Sequence, residues 1–334
     1  MSSEFTVSKD TQVSLLLCSK LGGKGSEKPL TIPQFEAFNS AITSEGKKLS
    51  SLLDDESLIE CAIFKALTNN KKLSQFTEKN VVGLLHRSFA LSSSLNKWAS
   101  YGIKIVGRND LKYPKRMKKY LDKKTPPFLF YAGNESLFSG GGMAFVGSRD
   151  IGDVPIKAIS KVVKECIKHD MNIISGGARG ADLTSMEEAY KNDGRVIGAL
   201  SCDLCKAVIT PIHRDALSDN RALFFSASDP EDSFSVAAAM ERNKYIYSMA
   251  DCSFVAQSDV KGGTWSGATE ELKRSQHNPL FVYAWDNMPK GNLMLIGMGG
   301  IPWEDDSEFT NMVRIPEKAQ KIEQLKIDSF FHNI

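Results

Sequence analysis

The stretch Phe145-Val-Gly-Ser-Arg-Asp150, answered by Ile173-Ile-Ser-Gly-Gly-Ala-Arg-Gly-Ala-Asp182, decides how this chain is read. In each, an apolar run stops at once on glycine and small polar residues, at Gly147-Ser148-Arg149 and at Ser175-Gly176-Gly177. Between them Ile156, Ile159, Val162, Val163, Cys166 and Ile167 recur at helical spacing. Strand, loop, helix, strand, loop is the order, and it places both polar loops on one edge of a parallel sheet. Glycine lets backbone N–H groups approach an anion, and the following helix adds partial positive charge. Arg149 and Arg179 add full charges. The pair reads as a phosphate-binding crevice. The alternative is two tight turns that need glycine for backbone shape alone.

Downstream the alternation continues. Strands are expected at Met143 to Val146, Met171 to Ile174, Val196 to Leu200, Ala222 to Phe225, Cys252 to Ala256 and Leu280 to Ala284, the last an apolar segment near the sheet edge that suits pairing with a second copy. Helices are expected at Leu183 to Lys191 and Ser235 to Met249. This predicts an α/β fold, a Rossmann-like, doubly wound and mostly parallel sheet with helices on both faces. Ligands in such sheets bind beyond the strands' carboxyl ends. Two more polar segments fall there. Arg242-Asn243-Lys244 precedes the fifth of these strands, and Lys261-Gly-Gly-Thr264 follows it and opens a helix. Gly263 and Thr264 offer N–H groups and a hydroxyl to an anion. An ion pair for Arg242 and a plain turn for Gly262-Gly263 are the alternatives.

Upstream, residues 1–100 read as a small helical domain. Thr31-Ile-Pro-Gln-Phe-Glu36 has the hydroxyl, early proline and acidic first turn of a helix start. Leu58, Ile59, Ala62, Ile63 and Ala66 keep helical spacing, as do Val81, Val82, Leu84, Leu85 and Phe89. Gly22-Gly-Lys-Gly-Ser26 reads as a flexible loop. His86 stands alone, and nothing here has catalytic spacing. Residues 104–124 then hold nine Lys or Arg against Asp110 and Asp122, with Tyr113 and Tyr120 interleaved. Such a run suits a nucleic-acid backbone or a solvated helix face equally. Thr125-Pro-Pro-Phe-Leu-Phe-Tyr131 reads as extended chain.

The 334 residues carry a net charge of only +2, so a nucleic-acid surface must be a local patch. Six scattered cysteines suit a reducing cytosol, and the protein is expected to be cytoplasmic. Cys202 and Cys205 form one C-x-x-C with no second pair, too little for a metal site. No apolar run approaches the roughly 20 residues that span a bilayer, and the N-terminus lacks a signal pattern.

Taken together, Asp110-Leu-Lys-Tyr-Pro114, Pro127-Phe-Leu-Phe-Tyr-Ala-Gly-Asn134, Val146-Gly-Ser-Arg149, Ser175 to Asp182, Arg242-Asn-Lys-Tyr-Ile246, Gly263-Thr264 and Gly291-Asn-Leu-Met-Leu-Ile-Gly297 resemble one family. It is the DNA-processing protein A family (DprA, also called Smf), over roughly residues 100–303. The resemblance implies a Rossmann-like domain over 101–304 that binds single-stranded DNA, forms a homodimer and presents the strand to a RecA-type recombinase. It implies no cofactor, no metal and no catalytic residue. By position, Gly147, Ser148 and Arg149 would hold a phosphate. Ser175, Gly176, Gly177, Ala178, Arg179 and Gly180, with Asp182, would form the second wall. Arg242, Asn243, Lys244, Gly263 and Thr264 would close the pocket.

The chain departs from the family pattern in places. It has Ala181 and Met186 where isoleucine and histidine are common, Ala227 where glutamate is usual, and Gln257 where an acid commonly ends the strand. Residues 305–334 are too few for the winged helix that some members carry. A divergent member of this kind is implied to serve in transformation and recombination, or in a phage-defence or toxin–antitoxin module with a toxin as partner.

Two other functions compete. A nucleotide sensor, or a phosphoribohydrolase-like enzyme of the related superfamily, would use the same crevice, but the related motif sets its glutamate at a different offset from Gly263-Thr264. A protein-interaction module acting through the helical domain is compatible with DNA binding.

Overall fold

The computed structural model describes residues 7–23 and 27–313. Its helices are α1 (Lys9–Cys18), α2 (Ile32–Ser44), α3 (Leu58–Asn69), α4 (Glu78–Leu85), α5 (Ser88–Ser100), α6 (Lys115–Leu121), α7 (Asp153–Lys168), α8 (Ala181–Lys191), α9 (Leu204–Ile209), α10 (Pro211–Ser218), α11 (Val236–Met249), α12 (Gly263–Leu272), α13 (Lys290–Gly297) and α14 (Phe309–Met312). Its strands are β1 (Lys104–Gly107), β2 (Phe128–Gly133), β3 (Gly142–Val146), β4 (Asn172–Ser175), β5 (Val196–Ala199), β6 (Ala222–Ser226), β7 (Cys252–Val255), β8 (Leu280–Tyr283) and β9 (Ile301–Trp303). Residues 24–26 of the glycine-rich loop, and most of the tail expected over 305–334, lie outside the described residues. No described helix is long and apolar enough to cross a membrane.

The chain forms two compact units, Met1–Ser139 with Leu200–Arg242, and Gly140–Ala199 with Asn243–Ile334. In the first, the helix start expected at Thr31 is a capping box. The Thr31 hydroxyl accepts from the Gln34 N–H, and the Gln34 side chain accepts from the Thr31 N–H at 2.9 Å. Leu15 and Leu17 of α1, Phe38 of α2, Ile59 of α3 and Leu84 of α4 are buried together with Trp98 of α5. The Trp98 ring meets Phe130 of β2 edge-on at 4.9 Å. β2 pairs antiparallel with β1 on one side and β6 on the other.

The second unit is the parallel part. β4 pairs with β5 and with β3, β3 with β7, β7 with β8 and β8 with β9, all parallel. These strands are almost wholly apolar, as expected of strands covered on both faces. The apolar stripe of α7 is buried as its spacing predicts, with Ile159, Val163 and Cys166 fully enclosed. Its core is aromatic, with Phe145 and Phe254 at 5.6 Å and Trp303 edge-on to Phe254 at 5.9 Å.

Four features differ from the sequence reading. β1 lies inside the basic run, which is therefore strand, turn and helix rather than one helix face. The strands also include antiparallel pairs, since β2, read only as extended chain, pairs that way with both β1 and β6. α9 and α10 occupy 204–218, where the alternation predicts no element. Leu280 to Tyr283 lies between β7 and β9 and is buried, so it is core rather than a sheet edge.

Candidate nucleic-acid interface

Three loops leave the carboxyl ends of β3, β4 and β7, and backbone hydrogen bonds tie them together. The Ser148 N–H donates to the Gln257 carbonyl at 2.8 Å, joining the first loop to the third. The Ala181 N–H donates to the Ser148 carbonyl at 3.2 Å, joining the head of α8 to the first. Glycine is required where these loops touch. A Cβ on Gly147 would stand 2.5 Å from the Cβ of Ala181. Gly180 has φ +86°, and a Cβ there would run into the Ser148 carbonyl and lie 2.7 Å from the Arg149 backbone. The two glycine loops are thus in van der Waals contact, with Arg149 and Arg179 exposed on either side.

Other residues hold this arrangement from beneath. Ser175 is fully buried, and its hydroxyl donates to the Phe145 carbonyl at 2.7 Å, bracing β4 against β3. Gly176 is also buried, while Gly177 (φ +68°) and Ala178 are half-buried. The Ala178 carbonyl accepts from the Leu183 N–H at 2.9 Å. Asp182 is buried in the first turn of α8, where a carboxylate complements the helix dipole.

The third loop is built the same way. Gly262 has φ +92° and caps α12 without any side-chain bond to its first turn. Asn243 of α11 donates from Nδ2 to the Gly263 carbonyl at 3.2 Å, and Thr264 and Lys244 are half-exposed. Arg242 precedes Asn243 on α11 and is buried, at 5% exposure. It belongs to the first unit, whereas the three loops, Asn243 and Lys244 belong to the second.

Two supporting residues escaped the site reading. Gln257 Nε2 donates to the Asp150 carbonyl at 3.4 Å, and its Oε1 accepts from the Gly152 N–H at 3.3 Å. It is a neutral clamp on the first loop. Asn292 is fully buried. Its Oδ1 accepts from the Ser258 N–H at 2.7 Å, and its Nδ2 donates to the carbonyls of Tyr283 at 2.9 Å and Ala256 at 3.3 Å. Gly291 lets α13 approach, since a Cβ there would strike the Ser258 carbonyl. The available signal was the Gly291-Asn292 pair itself, present in the quoted motif without a role.

The cysteines offer little chemistry. Burial pushes the Cys205 thiol up to about 11 and the Cys252 thiol up to about 12, away from reactive thiolate. Among the described residues no cluster of three or more His, Cys, Asp or Glu could hold a metal.

A parallel sheet whose glycine loops gather beyond the carboxyl ends of its strands is of the Rossmann-like class. Within that class, the chain belongs to the DNA recombination-mediator protein A family, whose model matches residues 104–313. It is similar to the DNA processing protein DprA of Streptococcus pneumoniae, 28% identical over 177 residues, 52% of this chain and 59% of that protein. It is also similar to Protein Smf of Borreliella burgdorferi, 25% identical over 190 residues, 56% of this chain and 59% of that protein. The matches therefore span somewhat more than half the length of these relatives. The X-ray structure of DprA from Streptococcus pneumoniae superposes with TM-score 0.68 at 18% identity, covering 89% of this chain and 95% of that one. A structure of DNA processing protein A from Helicobacter pylori, described for its single-stranded DNA binding mode, gives TM-score 0.52 at 21% identity, covering 67% and 98%.

Proposed function

We propose that this protein binds single-stranded DNA without chemical turnover, holding the phosphate backbone against the joined loops of β3, β4 and β7. The observation that carries this reading is the contact between the two glycine loops, flanked by exposed Arg149 and Arg179. Backbone donors, helix N-termini and two guanidinium groups on one edge suit a chain of phosphates. Lys244 and Thr264 border the same edge. The description of the Helicobacter relative by its single-stranded DNA binding agrees with this reading. Downstream of binding, the strand is passed to a RecA-type recombinase in DNA processing, or the protein acts in a phage-defence or toxin–antitoxin module.

Hydrolysis of a nucleotide is the weaker reading. Of the carboxylates after Gly263-Thr264, Glu270 is exposed, and Glu271 is buried beside Arg274 and accepts from the Asn278 N–H at 3.4 Å. The burial of Glu271 and its bond to Asn278 suit a structural role better than general acid catalysis.

The test is fluorescence anisotropy with a labelled single-stranded oligonucleotide at two salt concentrations. Arg149→Ala removes a charge-assisted interaction of about 1.5–3 kcal/mol, an expected ten- to hundredfold loss, roughly. Arg149→Lys rescues only in part, because lysine lacks the paired planar geometry. Equal binding by wild type and Arg149→Ala, or none by the folded wild type at low salt, overturns the reading. A homodimer is also proposed, as two-fold pairs are the commonest soluble assembly. Leu293, Met294 and Met298 of the α13 region and Ile301 of β9 are exposed and offer apolar surface for it. Light scattering that finds only monomer at tens of micromolar (roughly the range of weak pairs) counts against it.

A further inference from the structure

The basic run over 104–124 is not absorbed by the crevice, and its charge is unusually concentrated. Nine of the chain's 42 Lys and Arg lie there, with only two of its 40 Asp and Glu, so the remainder carries 33 basic residues against 38 acidic. Seven of these nine cations fall into three groups. Arg108 pairs with Glu36 at 2.6 Å, and Lys112 with Glu135 at 2.6 Å. Lys118 is half-buried, with its Nζ 5.6 Å from the Tyr113 ring centroid. Lys115, Lys119, Lys123 and Lys124 are exposed, and none of their side chains has an ion pair or hydrogen bond to another described residue.

The platform beneath them is firm. Tyr113, Met117 and Leu121 fall at four-residue spacing and are all buried, so α6 turns Lys115 and Lys119 to solvent. The Tyr113 hydroxyl donates to the Pro126 carbonyl at 2.9 Å, and Thr125 closes the turn by donating to the Asp122 carbonyl through both its N–H and its hydroxyl. The segment is thereby fastened at both ends. Its one inward acid, Asp110, accepts from the Gly107 N–H at 2.6 Å and from Ser8 and Thr11, and so does not neutralise the outer lysines. Burial first, then Arg108, hold the Lys118 ammonium below its usual range, with Asp110 acting in the opposite direction.

We propose that Lys115, Lys119, Lys123 and Lys124 form a second nucleic-acid surface, in the first unit, that holds the phosphate backbone of a single strand. This rests on the single-stranded DNA reading above and adds to it a surface outside the glycine loops. Lysine suits the task. It is a mobile point charge that tolerates any backbone geometry, whereas carboxylate recognition in a protein partner favours the planar fork of arginine. Lysines that neutralise phosphates release counterions, so the surface contributes salt-dependent and sequence-independent affinity.

The experiment uses the full chain, with Lys115, Lys119, Lys123 and Lys124 all replaced by Gln, and circular dichroism with thermal melting to confirm an unchanged fold. Binding of labelled oligothymidylate is measured across a salt series with two lengths. One is roughly six nucleotides, near the lower end of single-strand sites, and the other is several times longer. For the long strand, the slope of log affinity against log salt is expected to fall by roughly 0.7 for each phosphate no longer neutralised, hence by roughly two to three. The short strand, which fills only the crevice, should be bound as by wild type. An unchanged slope on the long strand overturns the proposal, as does an equal loss on both lengths. Displacement by polyglutamate as effective as by unlabelled strand assigns the face to an acidic protein and also overturns it. The crevice fails separately. If wild type ignores the short strand yet binds the long one, and the fourfold variant loses it, the lysine face stands and the loop reading falls.

Discussion

The two units meet the same demand, a polar surface on an apolar scaffold, in opposite ways. In the second unit β3, β4 and β7 run parallel, so every loop that follows them emerges at the same end. Three short polar segments, far apart in sequence, become one site without any long excursion of the chain. In the first unit β1, β2 and β6 are antiparallel, so successive connections leave at alternate ends and cannot pool their residues. There the charge is gathered by helical repetition along α6. Strand direction therefore determines whether a surface is made from backbone amides held by glycine or from side chains on a helix.

That contrast gives graded expectations. The second unit's site depends on buried supports, so the largest effect is expected at Asn292. Asn292→Leu keeps the size but strands the Ser258 N–H and the carbonyls of Tyr283 and Ala256, at a cost of about 3 kcal/mol or more. Denaturant unfolding followed with strand binding should show both reduced, and retention of wild-type stability would mean that the third loop does not depend on this residue. Next comes the meeting of the two glycine loops. Gly147→Ala is expected to cost about 1–3 kcal/mol by overpacking against Ala181. Combining it with Ala181→Gly should recover part of the loss, and strict additivity in the double-mutant cycle would show that the two positions do not touch.

Smaller effects follow. Gln257→Glu exchanges a neutral clamp for a charged one and loses the bond from Nε2 to Asp150. Strand affinity should fall by about 0.5 kcal/mol at low salt and less at high salt. The first unit answers to pH instead. Asp229 accepts from the Ser19 hydroxyl at 2.9 Å, and burial holds its carboxyl above the ordinary range. The native state then binds a proton more tightly than the unfolded chain. The stability this gives is present below the unfolded value of about 3.9 and is lost as pH rises through the higher folded value. Asp229→Asn should flatten the melting temperature across that acid window, and an unaltered profile would place the titration elsewhere.

The parallel half was legible because each strand there is an unbroken apolar run ended by glycine, as at Val146-Gly147 and Ser175-Gly176. Stretches whose state depends on distant partners were not. β1 is only Lys104-Ile-Val-Gly107, too short and too charged to show a period, and it exists because Phe128 to Tyr131 pairs with it. That β2 pairs antiparallel with β6, about ninety residues later, was not legible either, since local pattern carries no direction. At the joined loops, Gly147 and Gly180 could be named from local chemistry. Asn292 could not be given its role, because its partner Ser258 lies 34 residues away. Ser175 was visible as a polar residue at a strand end, but only the fold shows its hydroxyl turned inward to Phe145.

The packing of Gly147 on Ala181 and of Gly180 on Ser148 also separates what can vary from what cannot. Every heavier side chain at either glycine meets a close neighbour, while Arg149 and Arg179, one or two residues away, are exposed. A saturation library across 145–182, scored for folding and not for strand binding, should therefore show immovable and exchangeable positions almost side by side. Selection can rewrite the tips for a new polymer, a shorter strand or a different counter-charge, and the hinge on which they rest stays as it is.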